Sequence, residues 1–169
     1  MKHLKTLLFA TALFIGSISF TNAQSKVAHI NTQELVEAMP KMKAAQAELE
    51  KLAKTYEADI QTMVKEYQNK TKQYDAEAST KTDEENQKRL VEVQGMQQSI
   101  GAYQKQAQED LAKKEAELMK PIYDEARAAI QKVAKAQGFN YVLDSMNGQG
   151  VLYADGTDLL PAVKKELGF

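Results

Sequence analysis

The sequence predicts a mainly α protein with a small β body: a long antiparallel helical hairpin standing on a patch of short strands. Three observations carry that expectation. Two long runs place apolar residues at alternating steps of three and four, one polar turn separates them, and β-type segments occur only near the two ends of the chain.

The first residues read as a targeting segment rather than as part of the fold. Lys2 and Lys5 precede an apolar stretch over 7–20, and Thr21, Asn22 and Ala23 close it with small residues. This is the pattern of a secretory signal peptide over 1–23, cut after about Ala23. The apolar stretch is shorter than the roughly 20 residues a spanning helix needs, so no stable membrane anchor is expected. The chain has no cysteine, which excludes a lipid carried on a processed N-terminal cysteine and any disulfide. Without Lys2 and Lys5, 20 basic residues face 23 acidic ones, a net charge of −3. Nucleic-acid binding needs a basic footprint, and this balance offers none.

Past the signal, Val27, Ala28, His29 and Ile30 read as a brief strand, and Asn31 and Thr32 are both good helix caps. A short helix through Leu35, Val36 and Met39 follows. Pro40 then fits the first position of a new helix, where a missing amide costs nothing. From there the seam residues are Met42, Leu49, Ala53, Tyr56, Ile60, Met63, Tyr67 and Tyr74. No glycine or proline intervenes before the turn at 79–83. Thr82 and Glu85 fit a capping box that opens the second arm. Its seam runs Leu90, Val93, Met96, Ile100, Tyr103, Ala107, Leu111, Leu118, Ile122, Ala126, Ala129 and Val133, and Gly138 supplies the stop. At about 1.5 Å per residue each arm extends roughly 60 to 80 Å, too long for a compact domain. Gly95 and Gly101 each lower helix propensity by about 1 kcal/mol relative to alanine and soften the distal half. Pro121 is expected to kink the second arm opposite Pro40, where the arms leave the body.

Beyond Gly138 the residues are β-type again. Strands are expected at 139–144 and 151–153 around a loop at 145–150, with a terminal helix over 158–167 that tolerates Pro161 in its first turn. The hairpin brings the N-terminal strand to these two, so 24–39 and 138–169 form one discontinuous body and 40–137 the arm. Three short strands make a poor domain alone, so copies of the chain are expected to assemble through them. Val27, Ile30, Val142, Leu143, Val151 and Leu152 are the candidate oligomerisation residues.

No enzyme chemistry is visible. There is no thiol nucleophile, no metal-ligand cluster and no glycine-rich phosphate loop, so no catalytic, metal or cofactor residues are assigned. His29 is the one histidine beyond the signal, and a lone histidine on a strand is a structural or solvent-facing group. The carboxylates alternate with lysines as solvated helix faces. Tyr56, Tyr67, Tyr74 and Tyr103 are open to two readings: packing between the arms, or a half-exposed surface for another chain. A structural or adaptor coiled coil of the cell envelope is the main functional rival.

In Lys26 to Thr32, Met39-Pro40, the polar arms, Lys114 to Ile122 and the end from Gly138 to Asp155, the chain resembles the Skp/OmpH family of periplasmic chaperones. The resemblance covers nearly everything after the signal. It implies a jellyfish-shaped homotrimer with a β-barrel body and three arms around a cavity. It further implies periplasmic, ATP-independent holding of unfolded outer-membrane β-barrel proteins against aggregation, without a cofactor. Two departures stand out. Members of the family are often strongly basic, whereas this chain is slightly acidic, so no lipopolysaccharide site carries over. The Asp-hydrophobic-Thr cap before the last helix is Asp158-Leu159-Leu160 here, leaving either Asp158 capping a turn earlier or Pro161 opening an uncapped helix.

Overall fold

The two ends of the chain share one sheet, and the hairpin is the connection that lets them pair. The computed structural model describes residues 25–169; the expected signal segment lies outside them. Strand β1 (Val27–Ile30) leads into helix α1 (Thr32–Ala38), then the long helices α2 (Pro40–Glu77) and α3 (Asp83–Ala136). Strands β2 (Tyr141–Asp144) and β3 (Thr157–Asp158) and helix α4 (Leu160–Leu167) complete the order.

The sheet order is β2-β1-β3, with both pairings parallel. Val27 lies opposite Tyr141 and Ile30 opposite Asp144, while Ala28 and His29 meet Thr157 and Asp158. Parallel neighbours cannot be joined by a tight turn, and here the whole hairpin serves as the crossover. Backbone bonds pin the strand ends: Asn140 N to Lys26 O (2.8 Å), Ser145 N to Ile30 O (2.9 Å) and Leu159 N to His29 O (2.9 Å).

The third strand is not where the sequence suggests. Residues 151–155 take no regular structure, and β1 finds its second partner at Thr157–Asp158 instead. Gly148 and Gly150, both at positive φ (89° and 86°), lie in the loop that takes the chain from β2 on one side of β1 to β3 on the other. Leu152 and Tyr153 are left 101% and 81% exposed with no sheet surface beneath them. Strand propensity expresses packing against neighbours, and here those neighbours are missing.

The core lies on one side of the sheet. Ala28 and Ile30 point into it, and α1, α4 and the base of the hairpin cover them. Leu35, Leu159 and Val163 are fully buried there, with Met39, Met42, Ile122, Ala126 and Val133 around them. Where the arm leaves the body, Lys41 beside Pro40 bonds Glu125 across the two helices (2.8 Å).

Helix boundaries follow local chemistry. Asn31 Oδ1 accepts from Glu34 N (3.0 Å), and Pro40 opens α2. With 38 and 54 residues, α2 and α3 are about 57 and 81 Å long at 1.5 Å per residue. A 3-10 turn at Ala78–Thr80 reverses the chain, and the Thr82/Glu85 capping box closes in both directions (3.2 and 3.1 Å). Pro121 does not end α3, which continues through it. At its end Gly138 (φ 73°) lets Phe139 N reach Ala134 O (2.9 Å) and Gly138 N reach Lys135 O (3.2 Å), a Schellman stop. For α4 the N-cap position is Leu159, which offers no side-chain cap, and Pro161 stands in the first turn; Asp158 Oδ1, one residue before the cap in β3, accepts from Leu160 N (2.9 Å).

Asp144 ties β2 to the start of α1. One carboxylate oxygen accepts from Thr32 N (3.2 Å) and Met146 N (3.0 Å), and the other from Thr32 Oγ1 (2.5 Å). Partial burial raises its pKa, but the bonds from the Thr32 hydroxyl and the Met146 and Thr32 amides outweigh it and hold the carboxyl below its usual 3.8. A depressed folded pKa adds stability above the unfolded pKa and loses it as pH falls through the folded one. Urea midpoints of wild type and Asp144→Asn are therefore expected to differ near neutrality, with wild type higher. The gap should shrink once pH drops below about 3.8; a gap that is constant in pH would remove this role from Asp144.

Candidate functional site

Among the described residues two surfaces are left without an internal partner: the outer face of the sheet and the length of the hairpin. Strand pleating separates them from the core. In β1, Ala28 and Ile30 face inward while Val27 is 44% exposed; in β2, Tyr141 and Leu143 are 60% and 47% exposed. Because Val27 pairs with Tyr141 and His29 with Leu143, these four side chains form one strip on the open face. The exposed Leu152 and Tyr153 belong to the loop that leads to β3.

The expected oligomerisation set therefore divides. Val27, Leu143 and Leu152 are exposed, and Val151 is half-buried. Ile30 is 1% exposed in the chain's own core, and Val142 packs against the same core from the inner face. Val142 and Leu143 are adjacent in a strand and cannot share a face. Tyr141 and Tyr153 are exposed as well; Tyr141 follows from Leu143 by the period of two. His29 Nε2 donates to Gly156 O (3.3 Å), which ties the loop before β3 to the central strand.

Along the hairpin, burial stops early. Going outward, Ala45 on α2 and Ala107 on α3 are the last buried side chains. Beyond them the seam is half-buried and increasingly polar. Tyr56 on α2 donates to Asp110 on α3 (2.8 Å), and Tyr103 on α3 donates to Asp59 on α2 (2.7 Å). Their rings meet edge to face with centroids 5.7 Å apart. Nearer the base Lys114 pairs with Glu48 (2.7 Å). Nearer the tip Glu92 receives both Lys70 and the Tyr74 hydroxyl, Arg89 pairs with Glu77 (2.6 Å), and the Arg89 guanidinium lies 4.5 Å from the Tyr74 ring centre.

This arrangement assigns the tyrosines chiefly to the seam. Tyr56, Tyr74 and Tyr103 use their hydroxyls on carboxylates of the opposite helix, and Tyr67 is half-buried in the same row. The seam position expected for Leu90 belongs to Arg89; Leu90 and Val91 are 50% and 59% exposed. Hydrogen bonding to Asp59, then burial and the charge of Asp59, pushes the Tyr103 pKa up to about 12. The bond to Asp110 raises Tyr56 in the same direction. The Lys70 ammonium, followed by the Tyr74 hydroxyl, lowers Glu92. Among the described residues no group of acids and histidines is placed to hold a metal ion, and no helix is long and apolar enough to cross a membrane.

A family model described as outer membrane protein (OmpH-like) matches residues 26–167. The chain is similar to chaperone protein Skp of Photorhabdus luminescens, with 25% identity over 167 residues, 97% of this chain and 99% of that one. It is also similar to chaperone protein Skp of Vibrio cholerae, with 21% identity over 127 residues, 75% of each chain. The structure of an OmpH-like outer membrane chaperone from Caulobacter crescentus shares the fold, with a TM-score of 0.75 at 21% identity over 86% of this chain and 85% of that one.

A raised folded pKa adds stability below the unfolded pKa and loses it as pH rises through the folded one. The thermal midpoint of wild type is expected to exceed that of Tyr103→Phe at about pH 9, with the difference fading between 10.0 and about 12. A difference that persists unchanged above that range would mean that the phenol–carboxylate bond does not hold the seam.

Proposed function

The chain belongs to the OmpH-like outer membrane protein family, and from that premise we propose that it is a periplasmic holdase chaperone. It binds unfolded outer-membrane β-barrel proteins between the arms of a homotrimer and keeps them from aggregating, without ATP and without enzymatic activity. Residues 1–23 direct export, 24–39 with 138–169 form the assembly body, and 40–137 form the arm.

The observation that carries this reading is the unfinished state of the single chain. Its sheet has three strands, of which β3 has two residues, and the outer face presents Val27, Tyr141 and Leu143 to water. Short sheets with one apolar face uncovered are stable when copies pair. Assembly through that face, with Leu152, Tyr153 and Val151 at its margin, would gather several arms around one space. An arm of this length with little buried area has ample surface for many weak contacts. Such contacts can hold an unfolded chain in solution without ordering it.

The test is dilution of a denatured outer-membrane β-barrel protein into buffer without nucleotide. Purified protein in molar excess is expected to suppress the rise in light scattering. No suppression by an intact oligomer would favour the reading of a structural or adaptor coiled coil. Leu143→Asp, which places a charge on the open face, is expected to reduce the mass from trimer to monomer with the helical circular dichroism retained. An unchanged mass would overturn the assembly assignment.

A further inference from the structure

Interhelix polar contacts in the arm are not evenly spaced. Tyr56–Asp110 and Asp59–Tyr103 form one clamp. Lys70 and Tyr74 on Glu92, Glu77 on Arg89, and the Asn86 amide on Ala78 O (2.9 Å) form a second clamp at the tip. Between them, over 60–69 of α2 and 93–102 of α3, the described residues show no hydrogen bond or ion pair crossing the seam. Ile60, Met63, Val64, Tyr67, Val93, Met96 and Ile100 meet there, all of them half-buried and none buried.

The α3 side of this window is built to be weak. No charged residue occurs from Val93 to Gln104, so no intrahelical ion pair supports it. Gly95 and Gly101 lie inside it, and a Cβ at either would meet nothing within 4 Å. Neither has the positive φ that calls for glycine. Packing and backbone geometry within the chain therefore do not account for them. Ser99 Oγ donates back to Gly95 O (2.9 Å), a contact that competes with the helix bond and favours bending. Thr62 makes the same contact to Ala58 O (3.0 Å) on α2. Beside Gly95 an open groove between the helices is lined by Met63, Glu66, Met96, Ser99 and Ile100.

We infer that the arm has a built-in joint: it yields at 60–69 and 93–102, between two polar clamps that stay shut, rather than fraying inward from its tip. Ordinary fraying would make stability decline steadily outward. A joint between clamps makes it dip and recover. The outer segment then swings as a unit whose own turn stays folded. Met63 and Met96 suit that place, since unbranched thioether side chains repack with little penalty.

The test is amide hydrogen exchange on the purified full-length mature protein with no client present, so its outcome does not depend on chaperone activity. Amides of 93–102 are expected to exchange about tenfold faster than those of both 104–112 and 86–92. The double variant Gly95→Ala, Gly101→Ala, which the open surroundings tolerate, is expected to slow exchange in the window by about tenfold. Exchange near Ile122 should be unchanged. Protection that falls steadily from base to tip, or a window that the alanines leave unaltered, would overturn the joint.

Discussion

The molecule depends on the parallel pairing of four residues, Val27–Ile30, with segments from the far end of the chain. As the central strand, β1 holds β2 on one side and β3 on the other. A parallel pair needs only a dozen or so residues of crossover. Here residues 31–140 separate β1 from β2. The excess is the arm, and nothing in the sheet requires it. That excess length supports the proposal that the arm, rather than the body, is the working surface.

Stability and reach are kept apart along the same two helices. At the base, Met42, Ala45, Ile122, Ala126 and Val133 join Ile30, Leu35, Leu159 and Val163 in one apolar cluster. A fully buried aliphatic side chain contributes about 1.5–3 kcal/mol, so this cluster is where the protomer's free energy is concentrated. At and outward of the level of Ala107 the helices are held by phenol–carboxylate and ion pairs at intervals, on a half-exposed seam. Such contacts set register more than they add stability. The result is a buried root and a half-exposed shaft.

What could be read from the sequence was mostly what is local. Pro40, the Thr82/Glu85 box and Gly138 each act on their own turn, and each stands where the helix boundary falls. Alternating steps of three and four located both arms because that spacing is imposed by any long interhelix seam. What was not legible depended on partners distant in sequence. Val151, Leu152 and Tyr153 have the composition of a strand, yet the edge of β1 is taken by Thr157 and Asp158. Leu90 outranks Arg89 in hydropathy, but the arginine stem can line the seam while its head reaches Glu77. The carboxylates that bind Tyr56 and Tyr103 depend on the register of two helices, which no stretch of either one reveals. Apolar content alone does not separate Ile30 and Val142 from Val27 and Leu143; strand alternation does.

In the proposed chaperone the arm beyond the body holds the unfolded chain while the body only assembles. Replacing residues 67–100 by a short turn separates the two roles. The shortened protein is expected to keep the subunit number of the full chain, its mass lowered only by the removed residues, and to lose most of its suppression of β-barrel aggregation. Undiminished suppression by an intact, shortened oligomer would show that the distal arm does not hold the client.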